Sequence, residues 1–408
     1  MKQDSFYPDR TSYIYRCREI YTGDEAPFDG YIRISEGKIL DIGRKEPEAV
    51  EGAVFMDLAE YKVIPGLVDL HVHGYMGYDV ASADTDAVLS MASRLASEGT
   101  TSFLPTLGAM PLDRTEEVIR SVKAIALDKS GEGADILGLH LEGPFLNPQK
   151  KGAMRLDYLL EPSLDLMIKW FELSEGTLNH VTIAPELPSA REVIAFLSRQ
   201  GVTVAAGHSM ATYEETLEAI SWGVSVGNHT YNAMRSFHHR DPGIVGAVLS
   251  DRRIWAEVLC DGIHVHPGAV LALLAAKGTG KTYLVSDAIA PAGLSPGLYN
   301  SLGSDIIIDE IGRAFLSDGT LAGSTTTLLR CVKNVMRWTG EPLERVIPMA
   351  TVNPSLVANV FDRKGTLSPG KDADLVVLDD NDEVVLSVVR GNVVCGSYNS
   401  NVECRDHR

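Results

Sequence analysis

The sequence predicts an α/β fold, a (β/α)8 TIM barrel, joined to a small β-sandwich domain that its N- and C-terminal segments form together. Short apolar, β-branched runs recur eight times, at 63–72, 101–107, 136–141, 180–184, 202–206, 224–228, 256–260 and 283–286. Helical patterns lie between them, at 85–98, 112–128, 189–200 and 212–222. Both flanks read instead as alternating, hairpin-like stretches. Strand alternating with helix argues for a parallel sheet. Eight such units over this length argue for a closed ring, with a doubly wound open sheet as the alternative.

The elements follow in order. The N-terminal flank contains YIRISEGKILDIG, two alternating runs around a Glu-Gly-Lys turn, which predicts a hairpin. The eight strand–helix units come next. The segment 306–316 predicts a further hairpin inserted after the eighth strand. Two helical stretches are expected at 324–339 and 343–353, and KGTLSPGKDADLVVLDDNDEVVLSVVRGNVV is strand-rich again, with Gly and Asp turns. The expected division is therefore 1–63 and 365–408 for the sandwich and 64–364 for the barrel.

Bulk properties narrow the function. The chain has 408 residues, 45% apolar and 23% charged, enough to bury a core without disulfides. Its net charge of −18 disfavours nucleic acid and anionic lipid as partners. An anionic substrate would need a local basic cluster. Cys17, Cys260, Cys331, Cys395 and Cys404 are odd in number and show no metal-like spacing. Residues 1–15 carry charges and lack an apolar signal core, and no apolar run approaches ~18 residues. A cytoplasmic protein is expected.

The chemistry concentrates at strand ends, which in this fold form the active-site face. The first run ends in PGLVDLHVHG. His71 and His73 are two apart, so both side chains face one way and can chelate one divalent cation. The third run ends in GLHLEGPF, with Glu142 at the tip, where a carboxylate can bridge two cations. His140 shares its parity; it either orients Glu142 or is a hydrogen-bonded core histidine. His208 in AAGHS and His229 in NHTYNAM close the fifth and sixth runs. With Glu142 they make a two-imidazole, one-carboxylate set suited to a catalytic zinc or iron with open positions. Asp287, in LVSDAIAP, is buried by context and needs a partner, either a metal or its water. His264, in CDGIHVHPG, is placed to touch substrate, while His266 before Pro267 reads as a surface residue. FHHRDPG supplies His238, His239 and Arg240, the local basic cluster, and Arg240 could grip a phosphate with two hydrogen bonds.

In order along the chain, GLHLEGPFLNPQKKGA, AAGHS, NHTYNAM, RDPG, DGIH, VSDAIAPAG and GTLAGS resemble the N-acetylglucosamine-6-phosphate deacetylase family of the amidohydrolase superfamily. The resemblance runs from about residue 60 to the closing GTLSPGKDADLVVLD. It implies metal ligation by Glu142, His208 and His229, and a catalytic Asp287. It implies substrate contacts at Ala153, Asn232, Ala233, Arg240, His264 and the turn of Leu321, Ala322 and Gly323. Some family members lack the His-x-His pair and hold one metal; His71 and His73 here imply a second site, so one or two divalent ions per subunit, zinc first and iron, manganese or cobalt as alternatives. The implied substrate is a phosphorylated N-acetyl amino sugar and the implied assembly a homodimer. One departure bears on substrate identity: the family usually has His after Lys-Gly-Ala, and this chain has Met154.

Two other enzyme readings exist. N-acetylgalactosamine 6-phosphate differs from the gluco substrate only in stereochemistry. Ring-opening amidohydrolases of the dihydroorotase or hydantoinase type also carry His-x-His, but bridge their metals with a carboxylated Lys on the fourth strand, and here that strand reads VTIAPE. A barrel that had lost catalysis should have lost ligands, and all six positions are intact.

Overall fold

The computed structural model describes residues 12–45, 53–128 and 132–396. The ends of the expected flanking segments, and Cys404, lie outside the described residues. Eight parallel strands form a ring in chain order: Leu67–Val72, Thr100–Gly108, Leu139–Glu142, Leu178–Ile183, Thr203–Ala206, Val224–Gly227, Trp255–Leu259 and Thr282–Val285. Just past the ladders, Val72 bridges Ala288 and the Asp287 amide donates to the His71 carbonyl at 2.9 Å, which joins the eighth strand to the first. The predicted barrel is thus the observed one.

Eight longer helices alternate with these strands and cover their outer faces. Ala190–Arg199 shows the reason: Ala190, Val193, Ile194 and Leu197 are buried at helical spacing while its charged residues face out. Tyr213–Trp222 starts at a capping box between Thr212 and Glu215, which satisfies its first free amides. The helix Val352–Val357 closes the N-terminal end of the ring. Its Val357 carbonyl accepts from Thr203 Oγ1 at 2.7 Å and the neighbouring Ala358 carbonyl from Asn179 Nδ2 at 3.0 Å, both at or near strand starts.

The two flanks meet in one seven-stranded sheet. Its order is Asn392–Gly396, Val384–Val389, Leu375–Leu378, Val54–Pro65, Ser12–Ile20, Phe28–Ser35, Lys38–Gly43. Val54–Pro65 runs parallel to Ser12–Ile20 and antiparallel to Leu375–Leu378, so it stitches the C-terminal segment to the N-terminal one. The strands bury a core of their own, including Tyr15, Ile32, Leu58, Leu375 and Val388.

Several boundaries differ from expectation. The expected run 63–72 is two strands, Val54–Pro65 in the terminal sheet and Leu67–Val72 in the barrel, split at Gly66. A Cβ at Gly66 would lie 1.9 Å from Thr101 Oγ1, so only glycine lets the chain pass this close to the second barrel strand. The run 136–141 breaks into Asp135–Ile136 and Leu139–Glu142 around Gly138. The hairpin expected at 306–316 is a three-stranded sheet beginning earlier, Gly297–Ser301, Ser304–Ile308 and Ala314–Phe315. The helix expected from 324 starts at Leu328, after the Thr327 cap. The stretch 343–353 is broken near Pro348, which cannot donate in a continuing helix. Among the described residues no helix is long and apolar enough to cross a membrane.

Candidate active site

All six residues singled out as metal-competent converge at the C-terminal mouth of the ring. They form two groups, His71 with His73 and Asp287, and Glu142 with His208 and His229. Glu142 lies between the groups: its Oε1 is 2.9 Å from His229 Nε2 and 3.2 Å from His208 Nε2, while its Oε2 is 3.3 Å from His73 Nε2. Asp287 Oδ1 stands 3.4 Å from His73 Nε2 and 3.5 Å from His71 Nε2. Every one of the six is at most 7% exposed.

The backbone aims these groups in a repeated way. His208, His229 and Asp287 each lie two residues beyond the last residue of their strand. Each has a positive φ, +47°, +24° and +49°. A left-handed residue at a strand tip turns the chain off the barrel wall and points its side chain over the mouth. Non-glycine residues adopt this conformation at a cost, and such strain concentrates at functional sites.

Hydrogen bonds then fix the rings. His73 Nδ1 lies 3.1 Å from the Thr106 carbonyl and His208 Nδ1 lies 2.7 Å from the Lys150 carbonyl. A carbonyl only accepts, so in both rings Nδ1 carries a proton, and Nε2, facing the mouth, is the nitrogen that either holds a second proton or offers a lone pair to a cation. His208 Nε2 faces His229 Nε2 at 3.1 Å and Glu142 Oε1 at 3.2 Å, and His73 Nε2 faces His71 Nε2 at 3.2 Å. Nitrogens and carboxylate oxygens packed at these distances need positive charge among them, whether protons or a cation. The donor set fits a divalent cation in each group.

Proton affinities in the cluster say the same. Burial alone would push the Glu142 and Asp287 carboxyls up, but the imidazoles hold both down, Glu142 far below its ordinary range through His71 and His208. Burial works against charge on the rings too, but the carboxylates outweigh it. Glu142, Asp287 and Glu257 hold His71 well above its usual value, and Asp287 and Glu142 lift His73 to about 9. The carboxylates demand compensating positive charge, which protons or cations can supply.

Several supporting residues were not foreseen. Glu257, fully buried in mid-strand, accepts from His71 Nδ1 at 3.0 Å, from the His229 amide at 2.9 Å and from Tyr283 Oη at 2.5 Å. Its signal was a lone acid inside the apolar strand WAEVL. Asp69 has the parity of His71 and His73; it receives the His71 and Ser286 amides at 3.3 Å, and burial raises its carboxyl to about 7. Asn228 donates to Glu142 Oε1 at 2.9 Å. His140 instead sits between Thr106 and Thr182 hydroxyls, at 3.2 and 2.9 Å, and burial keeps it neutral, so of its two readings the core one fits.

The mouth opens into a cavity of about 520 Å³. His264 lines it, with its Nδ1 2.7 Å from Asp261 Oδ2, an anchor that turns Nε2 toward the space. Ala153, Asn232, Ala233, Leu321 and Gly323 also line it, whereas Ala322 is buried behind the wall. Arg240 does not line the cavity. It is exposed on a loop pinned by mutual His238 and Asp241 backbone hydrogen bonds, and it donates to His239 Nε2 at 2.8 Å. The cations in the wall are Lys150 and Lys151 of LNPQKKGA, which the sequence reading had passed over. His266 caps the helix Pro267–Lys277 from the surface.

Comparison with known proteins agrees with this architecture. The amidohydrolase family pattern matches residues 62–394. N-acetylglucosamine-6-phosphate deacetylase of Bacillus subtilis (strain 168) is 35% identical over 378 residues, 92% of this chain and 95% of that one. N-acetylgalactosamine-6-phosphate deacetylase of Escherichia coli O157:H7 is 35% identical over 368 residues, 90% and 95% of the two chains. A mutant N-acetyl-D-glucosamine-6-phosphate deacetylase from Mycobacterium smegmatis, solved in complex with N-acetyl-D-glucosamine-6-phosphate, superposes with a TM-score of 0.88 at 29% identity, covering 94% of this chain and 99% of that one. The Thermotoga maritima deacetylase gives 0.85 at 31% identity, covering 94% and 100%. The chain belongs to the metal-dependent amidohydrolase family, in the group of the N-acetylglucosamine-6-phosphate deacetylases.

Proposed function

We propose that this protein hydrolyses the acetamide of N-acetylglucosamine 6-phosphate to glucosamine 6-phosphate and acetate. The observation that carries the reading is the convergence of two metal-competent groups on Glu142, facing a cavity large enough for a sugar phosphate. Glu142, His208 and His229 would hold one divalent cation and His71, His73 and Asp287 a second, with zinc first among zinc, iron, manganese and cobalt. When bound, such a cation supplies Lewis acidity, which lowers the pKa of a water it touches from ~15.7 toward ~7 and draws charge from a carbonyl oxygen.

The chain's own groups do the rest. Asp287, acceptor-only when ionised, takes the proton from the attacking water and returns it to the departing amine nitrogen. His264, held by Asp261, donates to the acetyl oxygen as negative charge develops there. Asn232, Ala233 and the Leu321–Gly323 wall position the sugar, and Arg240, Lys150 and Lys151 offer the phosphate positive charge at the rim. Held remote from the reacting bond, the phosphate converts binding into orientation. The protein acts in the cytoplasm as a homodimer in this reading.

The galactosamine epimer is a second reading, favoured by the equal identity to the galacto enzyme. A ring-opening reading lacks support, since the fourth strand ends in Ile183 with no lysine. The deciding experiment assays acetate release from both N-acetyl hexosamine 6-phosphates, the unphosphorylated sugars and a cyclic ureide, with metal content measured on the same sample. Turnover of a phosphorylated N-acetyl sugar by metal-replete protein, lost after chelation, is expected. Ureide hydrolysis without deacetylation would overturn the proposal.

A further inference from the structure

Against the active-site cavity lies a narrow crevice, too tight as it stands to admit a water molecule, walled mainly by apolar groups such as Leu107, Ala109 and Met110. The cavity and the crevice share three residues, His73, Met154 and Leu302. Met154 is the adjustable one. It is 4% exposed, packs with Ala109 and Leu146, and occupies the room left by the missing side chain of Gly108. A Cβ built on Gly108 would lie 2.8 Å from Met154 Sδ and Cε and 4.0 Å from His73 Cε1. The thioether and the proposed cation ligand His73 thus both border Gly108, and both line the reaction space and the apolar crevice.

Resting on the deacetylase reading, we propose that Met154 is a specificity-determining residue that sets the length of the acyl group accepted. The carbonyl undergoing attack must lie at the His71–His73–Asp287 and Glu142 cluster. Its nitrogen side carries the sugar, which needs the larger, open cavity. Its carbon side then points away from that opening, toward the wall that Met154 and Leu302 form. A methyl fits against this wall. A propionyl or butyryl tail needs room that the unbranched Met154 side chain now fills, between Gly108 and the apolar crevice. The reaction is unchanged in each case: the acyl C–N bond breaks, the water oxygen joins the acyl carbon, and the proton goes to the amine nitrogen. Each methylene that a hydrophobic pocket accommodates or refuses changes kcat/KM by about tenfold or more.

The test measures kcat/KM for N-acetyl-, N-propionyl- and N-butyryl-glucosamine 6-phosphate with the wild type, Met154→Ala, Met154→Val and Met154→Leu, all metal-replete, with Tm recorded for each. The wild type is expected to prefer acetyl over butyryl by at least about tenfold, and Met154→Ala to reduce that preference by at least about tenfold. Met154→Val moves the ratio in the same direction and serves if the alanine variant does not fold; Met154→Leu, of similar volume, keeps it. An unchanged acetyl-to-butyryl ratio in a folded Ala or Val variant overturns the acyl-length role while leaving the deacetylase reading intact. Failure of the wild type to hydrolyse any of the three compounds ends both.

Discussion

Asp287 touches both His71 and His73 through one oxygen, Oδ1, at the rim of the reaction cavity. Asp287→Asn is expected to retain bound metal and lose at least ~10²-fold in kcat, the scale of a lost general acid–base. Acetate release near the wild-type rate from the Asn variant would refute the assignment. Glu257 acts one step further back, fixing His71 and the His229 backbone. Groups that orient metal ligands typically contribute 10–100-fold to metal affinity. Glu257→Gln should therefore weaken cation binding by about that factor, read by metal titration with a chromophoric chelator, and wild-type affinity in that variant would show that the contact is only structural. Strand parity made His71 and His73 legible in the sequence, since residues two apart share a face, and a place at the strand tip did so for Glu142. Glu257 was not, because one acid in an apolar strand gives no hint of its partners until His71, far away in the chain, is brought beside it. Arg240 is legible as the basic residue near a strand tip; that its loop stands outside the cavity wall, which Lys150 and Lys151 line, follows from loop geometry that no sequence pattern reports.

The strands and helices were legible where their patterns were periodic and their ends were marked. The capped helix Tyr213–Trp222 is an example. What hid was the place where one continuous apolar run serves two sheets. The run through Gly66 reads as a single strand because apolarity does not record which neighbour a residue pairs with. The structure makes Gly66 a junction under steric constraint, and Gly66→Ala is expected to cost about 1–3 kcal/mol, the range for overpacking a filled site. Urea unfolding should show a lowered midpoint with an unchanged slope, and an unaltered midpoint would mean that Thr101 can move aside freely. The broken stretch after Leu343 carries the opposite lesson, since Pro348 announces the break in the sequence itself.

Across the whole molecule, a cluster of charges ties the terminal sheet to the barrel. Lys364, 1% exposed, reaches Asp374 at 2.6 Å and both Asp135 and Asp372 at 3.1 Å. Arg363 bridges Asp135 and Asp372, and Lys38 reaches Asp372 from the N-terminal sheet strand. Burial would raise the Asp372 carboxyl, but Lys364, Lys38 and Arg363 hold it far below its ordinary range. A carboxyl depressed by folding stabilises in full above its unfolded pKa of ~3.9, and that contribution fades as pH falls through the folded value. Asp372→Asn should therefore lower Tm at pH 7, with a deficit that narrows as pH falls below about 4. A deficit constant down to pH 3 would exclude the electrostatic origin. The barrel and the meeting of the two ends were readable from the sequence as a rhythm and its interruption. This cluster was not, since its members come from four separate stretches that only the folded chain assembles. The pairing of Ile64 and Pro65 in the terminal sheet moves the expected first limit from 63 to Gly66, and we propose 365 as the second, with the link between the parts placed here.

The position of Val54–Pro65 in the terminal sheet has a consequence for biosynthesis. One of its edges pairs with Ser12–Ile20 and can do so early, while the other waits for Leu375–Leu378, translated after the entire barrel. Until that segment leaves the ribosome, a row of amides and carbonyls stands open to any extended chain nearby. A nascent-chain chaperone would find its target at that edge, and arrival of the last strands would displace it.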